Sequence, residues 1–168
     1  RELHASELWW EIRVEAERVL NAVVGENFAE TGSNPRSETV RALAWNIERG
    51  NIYDGIVEAL KNHERLKDKD LLLLTELDYG MARSGNRFVA QGIARELKLN
   101  YAFAPVYVAL QKGSGVESEV EGENTLSIHG LAMLSRYPMS NVHAVPLPNG
   151  KDKMWGKEKR LGYLRALF

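Results

Sequence analysis

The stretch Leu71-Leu72-Leu73-Leu74-Thr75-Glu76-Leu77-Asp78 decides how this chain is read. Four consecutive leucines are apolar on both faces of an extended chain, the pattern of a strand buried from both sides. The run is short and bounded by charged residues before Asp70 and by Tyr79-Gly80, so a strand over 70–77 is expected. Glu76 stands at the end of that strand. An ionised carboxylate there is costly to bury alone and needs a cation. A salt bridge at the strand end is the structural reading; a hard divalent ion such as Mg²⁺ or Mn²⁺ is the functional one.

Working outward, Val40 to Ile47 reads as an earlier strand, apolar apart from Arg41 and the polar Asn46 close to its end. An asparagine there is a turn former or a positioned oxygen ligand. If the two strands are parallel neighbours, Asn46 and Glu76 reach one rim, the end at which open α/β sheets place their sites. Between them, 52–66 has helical spacing (Ile52, Ile56, Leu60, His63), and 86–97 repeats it with Val89, Ala90, Ile93, Ala94 and Leu97. Residues 101–110 are strand-like. Residues 111–127 form a loop whose Glu117, Glu119, Glu121 and Glu123 are expected to be solvated. Short strands at 131–134 and 142–145 flank the turn at Tyr137-Pro138, a charged loop spans 150–160, and a last strand begins at Leu161. Alternation of strand and helix followed by a run of strands predicts a layered α/β (α+β) sandwich with helices outside.

Ahead of this domain, 5–24 reads as an amphipathic helix with Leu8, Ile12, Ala16, Val19 and Val23 on one stripe, Trp9 and Leu20 beside it, Ser6 as N-cap and Gly25 as stop. A linker follows from Glu30 to Glu38. The expected organisation is therefore helix and linker over 1–38 and the main domain over 39–168.

Composition narrows the function. The 168 residues carry a net charge of −1, 44% apolar and 27% charged residues, and no cysteine. That excludes disulfides, thiolate zinc sites and cysteine nucleophiles. The balance of charge and the acidic loop disfavour a salt-driven binder of duplex DNA. No segment approaches the ~18 apolar residues of a membrane span. Compartment stays open between the cytoplasm and export with a removed signal.

Other residues near Glu76 have two readings each. Arg83 and Arg87 follow it in a loop, where a guanidinium suits phosphate oxygens or is simply solvated. His129 is a phosphate contact or a structural histidine beside a strand. Asp78 orients an arginine, assists a metal or caps a turn. Arg136, before a turn proline, is a structural or a surface residue. Trp155 is a packing anchor or a stacking platform.

Three motifs in order carry a resemblance. Trp45-Asn46-Ile47 with Gly50, Leu74-Thr75-Glu76-Leu77-Asp78, and Gly130-Leu131-Ala132-Met133-Leu134-Ser135-Arg136-Tyr137-Pro138 are together similar to the front half of the endonuclease/exonuclease/phosphatase superfamily, in a bacterial-type branch. Thr75 stands where that family usually has Gln. The resemblance covers 40–168. It implies a four-layer α/β sandwich, with two face-to-face sheets and outer helices, and a Mg²⁺- or Mn²⁺-dependent hydrolase of phosphoester bonds, phosphodiesters foremost. Glu76 would be the metal carboxylate, and Asn46 would lie in the metal's surroundings. The family's later Asp-x-Asn and Asp-His motifs are missing here, so no complete catalytic set is expected and this chain alone should turn over little substrate. The sandwich is expected to be incomplete at its C-terminus, a fragment rather than a degenerate member, with an unfinished sheet edge that could self-associate. The alternative is a non-catalytic interaction domain on the same sandwich. The substrate (nucleic acid, lipid, inositol phosphate or nucleotide) is left undecided.

Overall fold

Burial of the leucine strand organises the whole chain. In the computed structural model, which describes residues 5–29, 38–147, 160–162 and 165–168, it forms β3 (Leu71–Tyr79) inside a mixed sheet. The elements before it are α1 (Glu7–Asn21), β1 (Val24–Glu26), β2 (Ala42–Arg49) and α2 (Tyr53–Asn62). Those after it are α3 (Val89–Leu97), β4 (Asn100–Ala109), β5 (Ile128–Ser135), β6 (Ala144–Pro146), β7 (Arg160–Gly162) and β8 (Arg165–Leu167). Single 3₁₀ turns lie at Ala82–Ser84 and Gly115–Glu119.

The sheet runs β1-β4-β5-β3-β2, and β7 also pairs with β4. β2 and β3 are parallel neighbours joined through α2; β5 is antiparallel to both β3 and β4. β6 and β8 form a separate antiparallel pair. The α/β class is thus as expected: helices and a mixed sheet in layers, with a second, two-stranded sheet.

Two layers make the core. Ile56, Val57 and Leu60 of α2 and Val89, Ala90, Ile93 and Ala94 of α3 are buried against Leu72, Leu74 and Leu77 of β3, with Tyr101, Phe103 and Leu134. Full burial of each large apolar side chain contributes roughly 1.5–3 kcal/mol. Alternation along β4 turns Ala102 and Ala104 to the opposite face, where they too are buried. α1 contacts β4, and β8 contacts β4 and β5, so these elements are available to cover that second face. Over β2 and β3 it is open: Ala42, Ala44, Leu73 and Thr75 are exposed, so the leucine strand is fully buried on its helix-facing side only and not from both sides as expected.

Asp70 fastens the far end of the sheet. Its carboxylate accepts from the Arg41 amide at 2.9 Å and lies 3.4 Å from Arg136 Nε, while its carbonyl accepts from the Arg136 amide at 3.0 Å. Arg136 is accordingly structural.

Several boundaries differ from the sequence reading. α2 ends at Asn62, not 66, because the His63 carbonyl accepts from the amides of both Leu66 and Lys67 and turns the chain. α3 starts at Val89, not 86: Asn86 is left-handed (φ 55°) and Phe88 bridges to Tyr79. β2 and β3 each run two residues further than expected, to Arg49 and Tyr79. β5 starts at Ile128 rather than 131, and β6 covers 144–146. α1 stops at Asn21, and Gly25 lies instead in β1, where it passes close to the Tyr101 carbonyl. Ser6 does cap α1, accepting from the Trp9 amide at 3.3 Å. The buried residues of α1 are Trp9 and Leu20; Leu8, assigned to the inward stripe, is 53% exposed. Most of the 30–38 linker, most of the 150–160 loop and Trp155 lie outside the described residues; the expected last strand is present as β7 and β8.

Candidate metal centre and the buried ionic cluster beside it

A line of bulges crosses the sheet at the expected rim. Asn46 pairs with Thr75 and Arg49 with Leu77, so Ile47 and Glu48 of β2 face the single residue Glu76 of β3. On the other side Thr75 pairs with Leu131 and Leu77 with Gly130, leaving Glu76 unpaired again. β4 is irregular at the same level, between Pro105 and Tyr107. Bulges of this kind re-aim side chains and recur next to active sites.

Glu76 is the pivot. Its backbone is left-handed, φ 59°, as are Glu48 (47°), Arg49 (68°) and Gly50 (76°). For a glutamate this conformation is uncommon and costs stability. The bulge also resets the alternation of β3. Leu72 and Leu74 face the helices; without it Leu77 would face away. Instead Leu77 joins the core, completely buried, and Asp78 turns to the opposite face. Glu76 itself is partly exposed and has no ion-pair partner among the described residues. Among the described residues, the salt-bridge reading of Glu76 finds no cation.

Asn46 supports the adjacent turn: its Oδ1 accepts from the Glu48 amide at 3.0 Å. This is the turn-forming reading, and it leaves the second lone pair of the same oxygen for a ligand. Glu48, which the sequence reading passed over, brings a second carboxylate into the bulge opposite Glu76. Among the described residues no three His, Cys, Asp or Glu side chains converge as a ligand set. The donors at the rim, a carboxylate and an amide oxygen, suit a hard cation of the Mg²⁺ type, which commonly takes one or two protein carboxylates and completes its shell with water and phosphate.

Glycines hold the bulges in place. A Cβ on Gly130 would collide with the Ala104 carbonyl oxygen and stand 2.6 Å from Phe103 Cζ. A Cβ on Gly50 would come within 2.6 Å of Val89 at the head of α3.

Behind the rim lies a buried ionic cluster. Asp78 and His129 are register partners on β3 and β5, and their side chains meet: His129 Nδ1 is 2.7 Å from Asp78 Oδ1. Arg83, from the 3₁₀ turn, donates through Nε to Asp78 Oδ2 and through Nη2 to Oδ1, both at 2.8 Å. The Asp78 side chain is 0% exposed and that of Arg83 4%. Burial alone pushes the Asp78 carboxyl up, but the hydrogen bonds from Arg83 and His129 outweigh it and hold the group below the usual carboxylate range. Burial likewise opposes the charge on Arg83, and its bond to Asp78 more than restores it. An ionised Asp78 can only accept, so His129 Nδ1 carries the proton and donates. Arg83 Nη2, 3.5 Å from the same nitrogen, then makes a contact rather than a bond. Tyr107 stacks on the His129 ring at 4.6 Å, and its hydroxyl accepts from Arg83 Nη2 at 3.4 Å.

Glu117 completes the cluster. Its Oε2 accepts from Arg83 Nη1 at 2.9 Å, and its Oε1 lies 3.0 Å from Arg49 Nη1. The expectation of four solvated glutamates is corrected at this one: its side chain is 18% exposed, fixed between two arginines, and it closes a capping box with Ser114. Glu119, Glu121 and Glu123 are exposed.

Of the residues singled out in the sequence, Asp78, Arg83 and His129 are brought together, and Asn46 and Glu76 stand on adjacent strands. Arg87 is separate: its guanidinium stacks over Tyr53, 5.1 Å from the ring centre. Arg49, Tyr107 and Glu117 were missed. Ser114-Gly-Val-Glu117 carries the capping-box signature, but nothing in it announces the arginines. No helix among the described residues is long and apolar enough to cross a membrane. No protein-family model, curated protein or solved structure matches this chain.

Proposed function

We propose that Glu76, with Asn46 beside it, is the protein part of a Mg²⁺- or Mn²⁺-dependent phosphoesterase centre, as the resemblance to the endonuclease/exonuclease/phosphatase superfamily implies. One observation carries the reading. The chain holds a carboxylate in a strained left-handed bulge, at the C-terminal ends of two parallel strands, without a side-chain cation among the described residues. Strain of this kind persists where the surroundings impose it, and it clusters at functional sites. A bound divalent ion supplies charge stabilisation to the phosphoryl oxygens and acidifies water. The chain's own residues do the rest. Glu76 would anchor the ion, Asn46 fixes the turn that faces it, and the Asp78–Arg83–His129 cluster keeps the rim rigid.

The test is hydrolysis of bis(p-nitrophenyl) phosphate by the protein's full natural chain. Metal-supported turnover is expected and should fall by a factor of about 100 or more in Glu76→Gln, the scale of losing one electrostatic stabiliser. Unchanged turnover in that variant refutes the assignment. The open face over β2 and β3, with Leu73 38% exposed, favours a second reading, a non-catalytic interaction domain. It predicts no metal-supported turnover and a partner seated on that face.

A further inference from the structure

Glu117 occupies a place that an anion from outside the chain could take. Its two carboxylate oxygens are divided between Arg49 and Arg83, at 3.0 and 2.9 Å. The two arginines come from different elements, Arg49 from the end of β2 and Arg83 from the 3₁₀ turn after β3, and they converge on this one group. Arg83 is already paired with Asp78. Two guanidiniums against the single carboxylate of Asp78 leave one positive charge, which Glu117 neutralises. A singly charged phosphodiester matches it in charge and offers two oxygens to the same two donors, the recognition for which arginine is suited.

Position connects this pair to the rim. Arg49 is the register partner of Leu77, the residue after Glu76, just as Asn46 is the partner of Thr75, the residue before it. Arg49 therefore leaves β2 at the Glu76 bulge, and Arg83 is tied to Asp78, two residues after Glu76. The remaining space is too small for a phosphate: the cavity beside Glu117, lined by Arg83, Tyr107 and Ser114, measures about 20 Å³, enough for one water. A phosphate enters only if Glu117 leaves. The segment that carries Glu117 is a five-residue 3₁₀ turn whose neighbours Val116, Ser118 and Glu119 are exposed, so its displacement disrupts little buried structure.

We propose that Arg49 and Arg83 form an oxyanion site for a phosphodiester group, held closed in the resting protein by the carboxylate of Glu117. The identification of the ligand rests on the phosphoesterase reading; the binding of an anion does not. Glu117 thus acts as an internal competitor, and the acidic loop 111–127 as the element that admits or excludes substrate.

The experiment is calorimetric titration of dimethyl phosphate and of inorganic phosphate, in EDTA so that no divalent metal takes part. Glu117→Ala should bind dimethyl phosphate about tenfold or more tighter than the wild type, the ratio set by one net charge-assisted hydrogen bond. Glu117→Gln should fall between them, and adding Arg49→Gln to Glu117→Ala should abolish the gain. Equal affinities in the wild type and Glu117→Ala, or a gain that survives Arg49→Gln, overturn the proposal. Binding of inorganic phosphate alone overturns the diester assignment. If the Glu117 variants do not fold, the wild type decides: saturating dimethyl phosphate should speed amide exchange across 114–119. No binding, or unchanged exchange, refutes it. Because metal is absent, failure here leaves the Glu76 assignment standing, and failure of Glu76→Gln to lose turnover leaves the anion site standing.

Discussion

Replacing Glu76 by glycine should stabilise this protein relative to Glu76→Ala while removing its response to metal. The backbone at Glu76 has φ 59°. A left-handed conformation costs a residue with a Cβ about 1–2 kcal/mol. Glycine is free of that penalty but loses about 0.5–1 kcal/mol more in chain entropy on folding. The difference favours glycine over alanine by about 0.5–1 kcal/mol. Neither variant forfeits an ion pair of Glu76 among the described residues, because none is there to lose. For a chain of this length about 1 kcal/mol moves the melting temperature by roughly 2–4 °C, so glycine should melt up to a few degrees above alanine. Mg²⁺ at a hundredfold excess over its dissociation constant should stabilise the wild type by about 2.7 kcal/mol, and both variants by nothing. Urea melts with and without Mg²⁺ measure all of this. Glu76→Gly less stable than Glu76→Ala would falsify the strained-bulge argument. Equal Mg²⁺ stabilisation of all three proteins would remove Glu76 from the metal centre.

Three further outcomes are expected. Asp78→Asn leaves the buried Arg83 with Glu117 as its one remaining carboxylate among the described residues and should cost about 3 kcal/mol, the low end for breaking a buried ion pair, read as a shifted urea midpoint. Acid should act through the same group and through Asp70, whose carboxyl is held low chiefly by the Arg41 amide. Both are depressed on folding, so their stabilisation is fully present above the unfolded value of about 3.9 and is lost as pH falls below it. The urea midpoint should therefore drop steeply below about pH 4, and less steeply in Asp78→Asn; equal slopes would show that Asp78 is not the group titrating. Gly130→Ala should cost about 1–3 kcal/mol or more, since its methyl meets the Ala104 carbonyl and the Phe103 ring; a neutral effect on the melting temperature would mean that β4 and β5 can separate at this level.

Much of the fold was legible because the strongest signals are simple burial. Four leucines in a row between charged residues announce a strand, and the apolar spacing within 52–66 and 86–97 identifies the helices that cover one face of it; cover on the other face is incomplete, with Leu73 exposed. The rim followed from polar residues at two strand ends. Three things were not legible. The face of α1 was misassigned because Trp9, Ile12, Ala16 and Leu20 fit helical spacing as well as the stripe through Leu8 does, and only contact with β4 separates them. The bulge left no trace because a left-handed glutamate has no sequence signature; glycine or asparagine would have shown it. Glu117 was hidden among three exposed glutamates, because its partners Arg49 and Arg83 are far away in sequence.

The most direct test of the central claim is where a paramagnetic ion binds. Mn²⁺ titrated into ¹⁵N-labelled protein should broaden the amides of Asn46–Gly50, Thr75–Leu77 and Gly130 first, and Glu76→Gln should abolish that pattern. Broadening that begins at the acidic residues 119–123, or that is unchanged by Glu76→Gln, would contradict a metal centre at Glu76.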